Sequence, residues 1–476
     1  MELPKAFADR MAVLLGSDFD AFLASYEKPP VRALRVNPLK MSAEDFERVA
    51  DFPIERIPHI DGAYTFECEH IGSHPLHHSG AIYVQEPSAM AVVASVDIER
   101  DWDVLDVCAA PGGKSTQAGT QNTDGIVVSN EIISSRAKIL LQNIERLGLK
   151  NSVVMNTDSE TLGKTFDKRF DLVIVDAPCS GEGMMRKNGL AISEWSEENV
   201  LACAERQFEI LENIYDTVKG GGRMIYSTCT FSIEENEGVV DKFLSRHPDF
   251  HLIPVKAEIS DISADGISFD GCTAADIALC RRFYPHISGG EGQFLALFER
   301  DGQSAPAPKK QERKPDGRRE ADGKRNTQAT KAEAQKNAKK PNAQAMRDTD
   351  CVRAFLRECL GRDDFPIELR PDGAYIPAIP SLGESGVFSA GVKIGTVQKG
   401  RVIPHHRFFM AYGGDFINKI ELTHIDGAAE KYLSGETFAA LGVKGYAAVT
   451  YHGAVLGGVK VADNTAKNYY PKGLRK

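Results

Sequence analysis

The sequence predicts an α/β protein centred on a doubly wound parallel sheet, preceded by a small region and followed by a β-rich portion. Three observations carry this. From about residue 80, short apolar runs alternate with amphipathic stretches in the order strand, turn, helix. A glycine-rich loop, Asp106-Val107-Cys108-Ala109-Ala110-Pro111-Gly112-Gly113-Lys114-Ser115, falls between the first of these strands and its helix. Finally, the segment 303–346 is rich in Lys, Ala, Gln, Asn and Pro and nearly devoid of aliphatics, so it cannot bury enough apolar surface to offset the entropy of ordering it. It reads as a flexible linker between a larger and a smaller part.

Element by element, the chain opens with a helical region and then Arg32–Lys40, which alternates as a strand carrying basic residues. Strands are predicted at Val104–Ala109, Ile126–Glu131, Ser152–Asn156, Phe170–Val175 and Arg223–Thr228. Helices are predicted at Gly112–Gln121, at Ser134–Leu147 ending on Gly148, and at Glu197–Val218 closed by Gly220-Gly221-Gly222. Phe294–Glu299 is predicted as a closing edge strand. Beyond the linker a helix over Asp350–Leu360 is followed by short glycine-punctuated strands such as Gly391–Gly395 and Gly445–Tyr451. The boundaries expected are 1–80 for the N-terminal region, 81–302 for the central domain, 303–346 for the basic linker, 347–404 for a small mixed α/β domain and 405–476 for a compact β-rich barrel.

At 476 residues the chain is too long for one ordinary core. A hydrophobic content of 42% and charged content of 26% are those of a soluble globular protein. No apolar stretch reaches the roughly 18 residues that would span a bilayer, so no membrane partner is expected. Met1-Glu2-Leu3-Pro4-Lys5 lacks the basic-then-apolar pattern of a secretory signal. Nine unevenly spaced cysteines then read as reduced thiols of a cytoplasmic protein rather than a disulfide framework. The net charge of −10 argues against a general nucleic-acid coat, but the linker holds twelve Lys or Arg against five Asp or Glu, leaving −17 on the rest. Charge acts locally, so a basic arm can serve a polyanion despite an acidic total.

The loop Cys108–Lys114 suits a ligand approached closely by backbone, with free helix N–H groups to receive a carboxylate or phosphate. It is neither of the common nucleotide loops. In the G-x-x-x-x-G-K-[ST] pattern the first glycine position is occupied by Cys108, and the G-x-G-x-x-G pattern is missing. Glu131 ends the second strand, where a carboxylate can accept both ribose hydroxyls of an adenosyl group. Asp158 ends the third and is placed to meet the adenine amino group. Together they describe an adenosyl ligand without a polyphosphate, for which S-adenosyl-L-methionine is the economical candidate. Cys108, Ala109, Ala110, Pro111, Gly112, Gly113, Lys114, Glu131, Arg136, Asp158 and Asp176 form the expected cofactor-binding set, with Cys108 read as packing rather than catalysis.

Two further cysteines follow apolar runs that read as buried parallel strands: Cys179 in Asp176-Ala177-Pro178-Cys179-Ser180-Gly181, and Cys229 in Ser227-Thr228-Cys229-Thr230. Both therefore fall where the carboxyl ends of such strands open into a ligand crevice, which suggests covalent chemistry on an electrophile. These two runs and the Cys108–Lys114 loop, in this order, resemble the Sun-type RNA 5-methylcytosine methyltransferases. Tyr83-Val84-Gln85-Glu86-Pro87-Ser88, Gly181-Glu182-Gly183 with Arg186-Lys187, and the ending Asn468–Arg475 resemble the branch of that family that methylates 16S rRNA, RsmF.

The resemblance implies a Rossmann-like class I methyltransferase sheet, a small N-terminal RNA-binding region and a C-terminal PUA-like domain. It implies methylation of cytosine carbon-5 in 16S rRNA, within the small ribosomal subunit, by a chain expected to act as a monomer. Carbon-5 of cytosine is a poor nucleophile until a thiolate adds to carbon-6, and a base must later remove the carbon-5 proton so that the thiol can leave. The resemblance assigns the attack to Cys229 and the breakdown of the adduct to Cys179. Chemistry alone leaves the choice open, since DNA cytosine methyltransferases attack with a Pro-Cys cysteine. Asp176 is expected at the cytosine edge or the methyl donor, and Lys114 near either. Arg32, Arg35 and Asn37 are expected on the RNA backbone, as are Lys460, Lys467, Lys472, Arg475 and Lys476. The remaining cysteines, the histidines 74, 77 and 78, and the pair 405 and 406 lack metal-ligand spacing. A tRNA target and a noncatalytic assembly factor are the competing readings; the intact thiol pair disfavours the second.

Overall fold

A computed structural model describes residues 3–187, 189–302, 343–378, 385–423 and 427–475. Its centre is a ten-stranded sheet. Five strands form the parallel heart: β1 (Val104–Asp106), β2 (Val127–Asn130), β3 (Ser152–Met155), β4 (Phe170–Asp176) and β5 (Val218–Thr228). They lie in the order β5-β4-β1-β2-β3. These are mostly apolar because strands covered on both faces bury most of their side chains. The chain reverses direction of growth between β1 and β4, so the crevice above their carboxyl ends is the topological switch point where such sheets bind ligands. The doubly wound reading is thus what the strands form.

The helices follow the predicted pattern closely. Gly113–Gln121 succeeds β1, and Ser134–Leu147 buries Ala137, Leu140, Ile144 and Leu147 along one stripe before Gly148 ends it at φ 77°. One expectation fails. The long helix Glu197–Ile214 stops well before the three glycines, which lie inside β5. Between Phe170 and Leu172 of β4 the partner in β5 advances from Val218 to Arg223. Gly221 takes φ 73° in that bulge, and a Cβ on Gly222 would stand 3.0 Å from the carbonyl oxygen of Phe170. The glycines therefore serve strand pairing.

A second correction concerns the predicted edge. The strand β6 (Gln293–Arg300) runs antiparallel to β5, and Phe250–Leu252 and Arg281–Phe283 pair with it in turn, so it is interior. At the opposite side, Val387–Ala390 pairs antiparallel with β3 and closes that edge. The expected domain of 347–404 thus lends a strand to the central sheet. Its other strands form a four-stranded sheet beside the helix Ala343–Leu360, whose first turn takes in the last residues of the expected linker; 303–342 lie outside the described residues.

The N-terminal region is an antiparallel sheet whose fourth strand, Ile82–Val84, lies beyond the boundary expected at residue 80. The C-terminal portion holds a five-stranded sheet. These two ends share one hydrophobic core: Leu34, Phe46, Tyr64 and Leu76 cluster with Tyr432, Leu433, Leu456 and Tyr470. Tyr470 and the imidazole of His78 hydrogen-bond across it at 2.8 Å.

Candidate active site

The loop after β1 is drawn tight by polar ties. Asp106 is fully buried; Ser115 Oγ donates to its Oδ2 at 2.5 Å, while Oδ1 has no protein partner. Burial pushes its carboxyl up to about 7, and the charge of Asp176 adds to the rise. Gly112, at φ 111°, makes the turn into the helix, where a Cβ would press on Leu140 at 3.1 Å. Glu131, 3% exposed, receives the N–H of Ile133 on Oε1 at 2.9 Å and has Arg136 3.4 Å from Oε2. Arg136 also donates to the carbonyl of Ala110 at 2.8 Å, so it joins the acid to the loop. Ile132 beside Glu131 is largely exposed, an apolar face at the strand end. An unpartnered buried oxygen, a glycine turn, an acid held by a cation and an exposed isoleucine together fit an adenosyl group.

Asp158 stands differently. It caps the helix Ser159–Thr165, accepting from Thr161 N at 2.8 Å and Thr161 Oγ1 at 3.0 Å, and these bonds hold its carboxyl below the usual range. Cys108 packs against the central core, and burial pushes its thiol well up. The residue that ties the strand ends together is one that pattern reading passed over. Asn130, 2% exposed, donates to the carbonyls of Val107 and Thr157 at 3.1 and 3.0 Å and accepts from Thr157 N at 3.1 Å.

Beyond the loop the two thiols meet. Cys179 Sγ lies 3.1 Å from Cys229 Sγ, and the backbone N–H of Cys229 points at Cys179 Sγ at 3.3 Å. Both are free, the separation being far above the roughly 2.05 Å of a disulfide. The hydrogen bond with Cys229, then burial, raises the Cys179 thiol well above its ordinary value. At the same end Lys114 Nζ pairs with Asp176 Oδ2 at 2.7 Å, and Asp176 Oδ1 accepts from Ser227 Oγ at 2.8 Å and Gln293 Nε2 at 3.2 Å. Burial opposes the ammonium of Lys114, but the charge and hydrogen bond of Asp176 prevail and raise it; Cys229 contributes in the same direction.

Two buried glutamates clamp the thiol loops. Glu235 accepts from Ser180 N at 2.9 Å, Ser180 Oγ at 2.5 Å, Gln207 Nε2 at 2.8 Å and Ser232 Oγ at 3.0 Å. Burial nevertheless raises its carboxyl. Glu182 accepts from Thr230 Oγ1 and Phe231 N at 2.8 Å and from Trp195 Nε1 at 2.9 Å. Gly183 N completes the junction by donating to Cys229 O at 2.9 Å. The polar run Ser232–Asn236 directly after Cys229 was a signal for such a clamp; Gln293, on a distant strand, offered none.

Two of the three N-terminal residues expected on the RNA backbone are buried within the protein. Arg35 is buried, donating to Gln85 Oε1 at 3.0 Å, to the carbonyl of Gly113 at 3.1 Å and to Thr116. Asn37 is buried as well and donates to the carbonyls of Gly80 and Leu147. Alternation placed them on a strand, but that strand packs against the cofactor helix, so they dock the N-terminal sheet instead. Arg32 alone of the three is open, stacked 4.9 Å over Phe66. At the other end Arg475 folds back onto the carbonyl of Tyr470, and Lys460 lies over Tyr446. Lys476 lies outside the described residues.

Comparison with known proteins bears on this geometry. The family model for 16S rRNA methyltransferase RsmB/F matches residues 93–299, that for the N-terminal domain of 16S rRNA methyltransferase RsmF matches 3–87, and that for the methyltransferase RsmF PUA domain matches 418–476. Ribosomal RNA small subunit methyltransferase F of Vibrio parahaemolyticus is 32% identical, with 99% of this chain and 97% of that protein covered. The crystal structure of a methyltransferase homolog protein from Pyrococcus horikoshii is 29% identical with a TM-score of 0.55, over 62% of this chain and 95% of its own. NSun6 from the same organism, at 20% identity and a TM-score of 0.54 over 63% of this chain and 99% of its own, shares the fold. Sheet, loop and strand ends are those of a class I methyltransferase that uses S-adenosyl-L-methionine. The chain belongs to the ribosomal RNA small subunit methyltransferase F (RsmF) family.

Proposed function

We propose that this protein methylates carbon-5 of a cytosine in 16S rRNA through a covalent adduct on Cys229, which Cys179 helps to release. The observation that carries the reading is the meeting of two free thiols, 3.1 Å apart, beside the Lys114–Asp176 pair at the carboxyl ends of β4 and β5. A binding module has no need of that constellation.

S-adenosyl-L-methionine, when bound, supplies the electrophilic methyl group. The loop Cys108–Lys114, Glu131 and Arg136 are placed to hold it, with Asp158 at the margin. Lys114, anchored by Asp176, holds a positive charge at the strand ends where Cys229 adds to carbon-6. Asp176 keeps its side chain one-third exposed, so a lone pair remains for the cytosine edge. Cys179, with its proton held firmly, is suited to proton transfer during breakdown of the adduct rather than to attack. The target must leave its stack for a thiol to reach the ring, so an unpaired or flipped cytosine is the substrate. In this reading the flanking regions, 1–80 and 405–476, contribute RNA contacts around the central domain 81–302. The chain works as a monomer on the small subunit in the cytoplasm. Among the described residues no helix is long and apolar enough to cross a membrane.

The test is incubation with labelled S-adenosyl-L-methionine and unmodified 16S rRNA, small subunits or tRNA, followed by bisulfite mapping of 5-methylcytosine. Transfer to a cytosine of 16S rRNA is expected; transfer to tRNA alone would move the substrate, and none to any RNA would end the enzymatic reading. Cys229→Ala should abolish transfer and adduct together, whereas Cys179→Ala should accumulate a denaturation-resistant protein–RNA band. The reverse pattern would exchange the two roles.

A further inference from the structure

We infer that the C-terminal part is built into the cofactor site: strand Val387–Ala390 and the side chain of Asn156 position Glu131, linking the docking of that part to adenosyl binding. This rests on the reading that Glu131 meets the ribose.

The edge of the central sheet at β3 would otherwise be open. Val387–Ala390 covers it, with Val387 opposite Met155, Ser389 opposite Val154 and Ala390 opposite Val153. The pairing continues past both ends of the strand: Asn156 N donates to Gly386 O at 2.8 Å, and Gly391 N to Ser152 O at 3.0 Å. Arg407, 1% exposed, bolts the two together by donating to Ser389 Oγ at 2.9 Å and Ser152 Oγ at 3.0 Å, with the Glu145 carboxylate 3.7 Å away.

The residue gripped by Gly386 is the one that holds Glu131. Asn156 Nδ2 donates to the carbonyls of Glu131 at 2.6 Å and Ile132 at 2.9 Å, while Glu131 N donates to Met155 O at 3.2 Å. Gly386 also abuts the next residue: at φ 75°, a Cβ on it would lie 3.2 Å from Thr157 Cβ. Thr157 in turn exchanges hydrogen bonds with Asn130, whose amide reaches Val107 in the cofactor loop. A contiguous path of short contacts thus runs from the C-terminal strand to the ribose acid on one branch and to the loop on the other. By reciprocity, whatever displaces the strand weakens the ligand, and the ligand steadies the strand.

The full-length protein tests this with S-adenosyl-L-homocysteine as calorimetric probe. Gly386→Ala adds a Cβ against Thr157, and Asn156→Ala removes two donors from the Glu131 turn. Each should weaken binding about tenfold, the scale of one or two lost hydrogen bonds. Both should raise KM for S-adenosyl-L-methionine while kcat at saturation stays within about twofold, since the thiols are untouched. Gly400→Ala is the matched control: it forces the same left-handed backbone at φ 71° in the turn between Val392–Gln398 and Arg401–Pro404 of the four-stranded sheet, with nothing within 4 Å of its Cβ. Its affinity should not change. Parent-like binding by Gly386→Ala and Asn156→Ala, or equal weakening by Gly400→Ala, would overturn the inference. Amide exchange at 130–133 in the ligand-free protein judges the clamp separately. It should quicken in Gly386→Ala and not in Gly400→Ala, and no difference between them refutes the clamp even if the proposed reaction fails because the parent ignores the probe.

Discussion

Relative to the parent, Asp106→Asn should gain stability progressively as pH rises. Asp106 is wholly buried, its Oδ1 lacks a protein partner, and its carboxyl is pushed from 3.8 up to about 7 in the folded chain. A raised folded value means that the folded state holds the proton more tightly. The stability this group lends is therefore fully present below about 3.8 and is lost as pH climbs through about 7. Each pH unit inside that window costs roughly 1.4 kcal/mol, so between pH 5 and 8 the parent should lose about 2.5 kcal/mol from this group alone.

Asparagine carries no such charge. It keeps an oxygen for Ser115 and leaves an amide N–H₂ where Oδ1 stood, at a pH-independent cost of about 1–3 kcal/mol. The variant should be the less stable protein at pH 5 and draw level with or pass the parent by pH 8. Urea unfolding followed by tryptophan fluorescence reads the relevant domain, because the chain's two tryptophans, Trp102 and Trp195, both lie within it. Parallel stability curves for the two proteins from pH 5 to 8 would refute the reasoning, since they would mean that Asp106 titrates alike in both states.

Two further perturbations separate positioning from packing. Glu235→Gln turns an acceptor of four hydrogen bonds into a group that opposes some of its donors, loosening Ser180 and with it Cys179. Misplacement of a reacting group by about 1 Å costs on the order of a hundredfold, so adduct formation on denaturing gels should slow to that extent; an unchanged rate would mean the clamp is idle. Glu237→Gln leaves the fully buried Arg282 without its charge partner, 2.6 Å away in the parent. It should lower stability by about 3–5 kcal/mol and the thermal midpoint by roughly 10 °C, and a fall of under about 2 °C would count against a buried charge there.

What could be read from the residues follows the range of the interactions. The helix Ser134–Leu147 and the strand Gly445–Tyr451 match their predicted limits because local periodicity and a closing glycine define them. The glycine triplet at 220–222 misled because a helix stop and a strand bulge use the same residue, and only the partner strand tells them apart. The same limit applies at the site. Cys179, Cys229, Asp176 and Glu131 announced themselves as strand-end residues, and Lys114 as part of the glycine-rich loop and helix start. Arg35 and Asn37 have the composition of an RNA contact, yet their guanidinium and amide groups face the backbone carbonyls of Gly113, Gly80 and Leu147, which no pattern within residues 32–40 encodes.

The same distinction governs the two thiols. As residues they are equivalent: each follows a buried parallel strand, and they touch. Their surroundings differ. The hydrogen bond with Cys229, burial and the negative charge of Glu235 outweigh the opposing backbone N–H of Cys229 and leave Cys179 a thiol that gives up its proton reluctantly. Cys229 stands among the groups that raise the Lys114 ammonium, so it lies within reach of a fixed positive charge. Attack requires a thiolate and release requires a proton carrier, and a cysteine that holds its proton, as Cys179 does, suits the second role in the proposed reaction. In the proposed reaction the surroundings, Lys114 and Glu235 among them, would then matter to the order of attack as much as the cysteines themselves. Exchanging the field, by Lys114→Met, should suppress the Cys229 adduct even with both sulfurs in place. An adduct forming at the parent rate in that variant would return the choice of nucleophile to geometry alone.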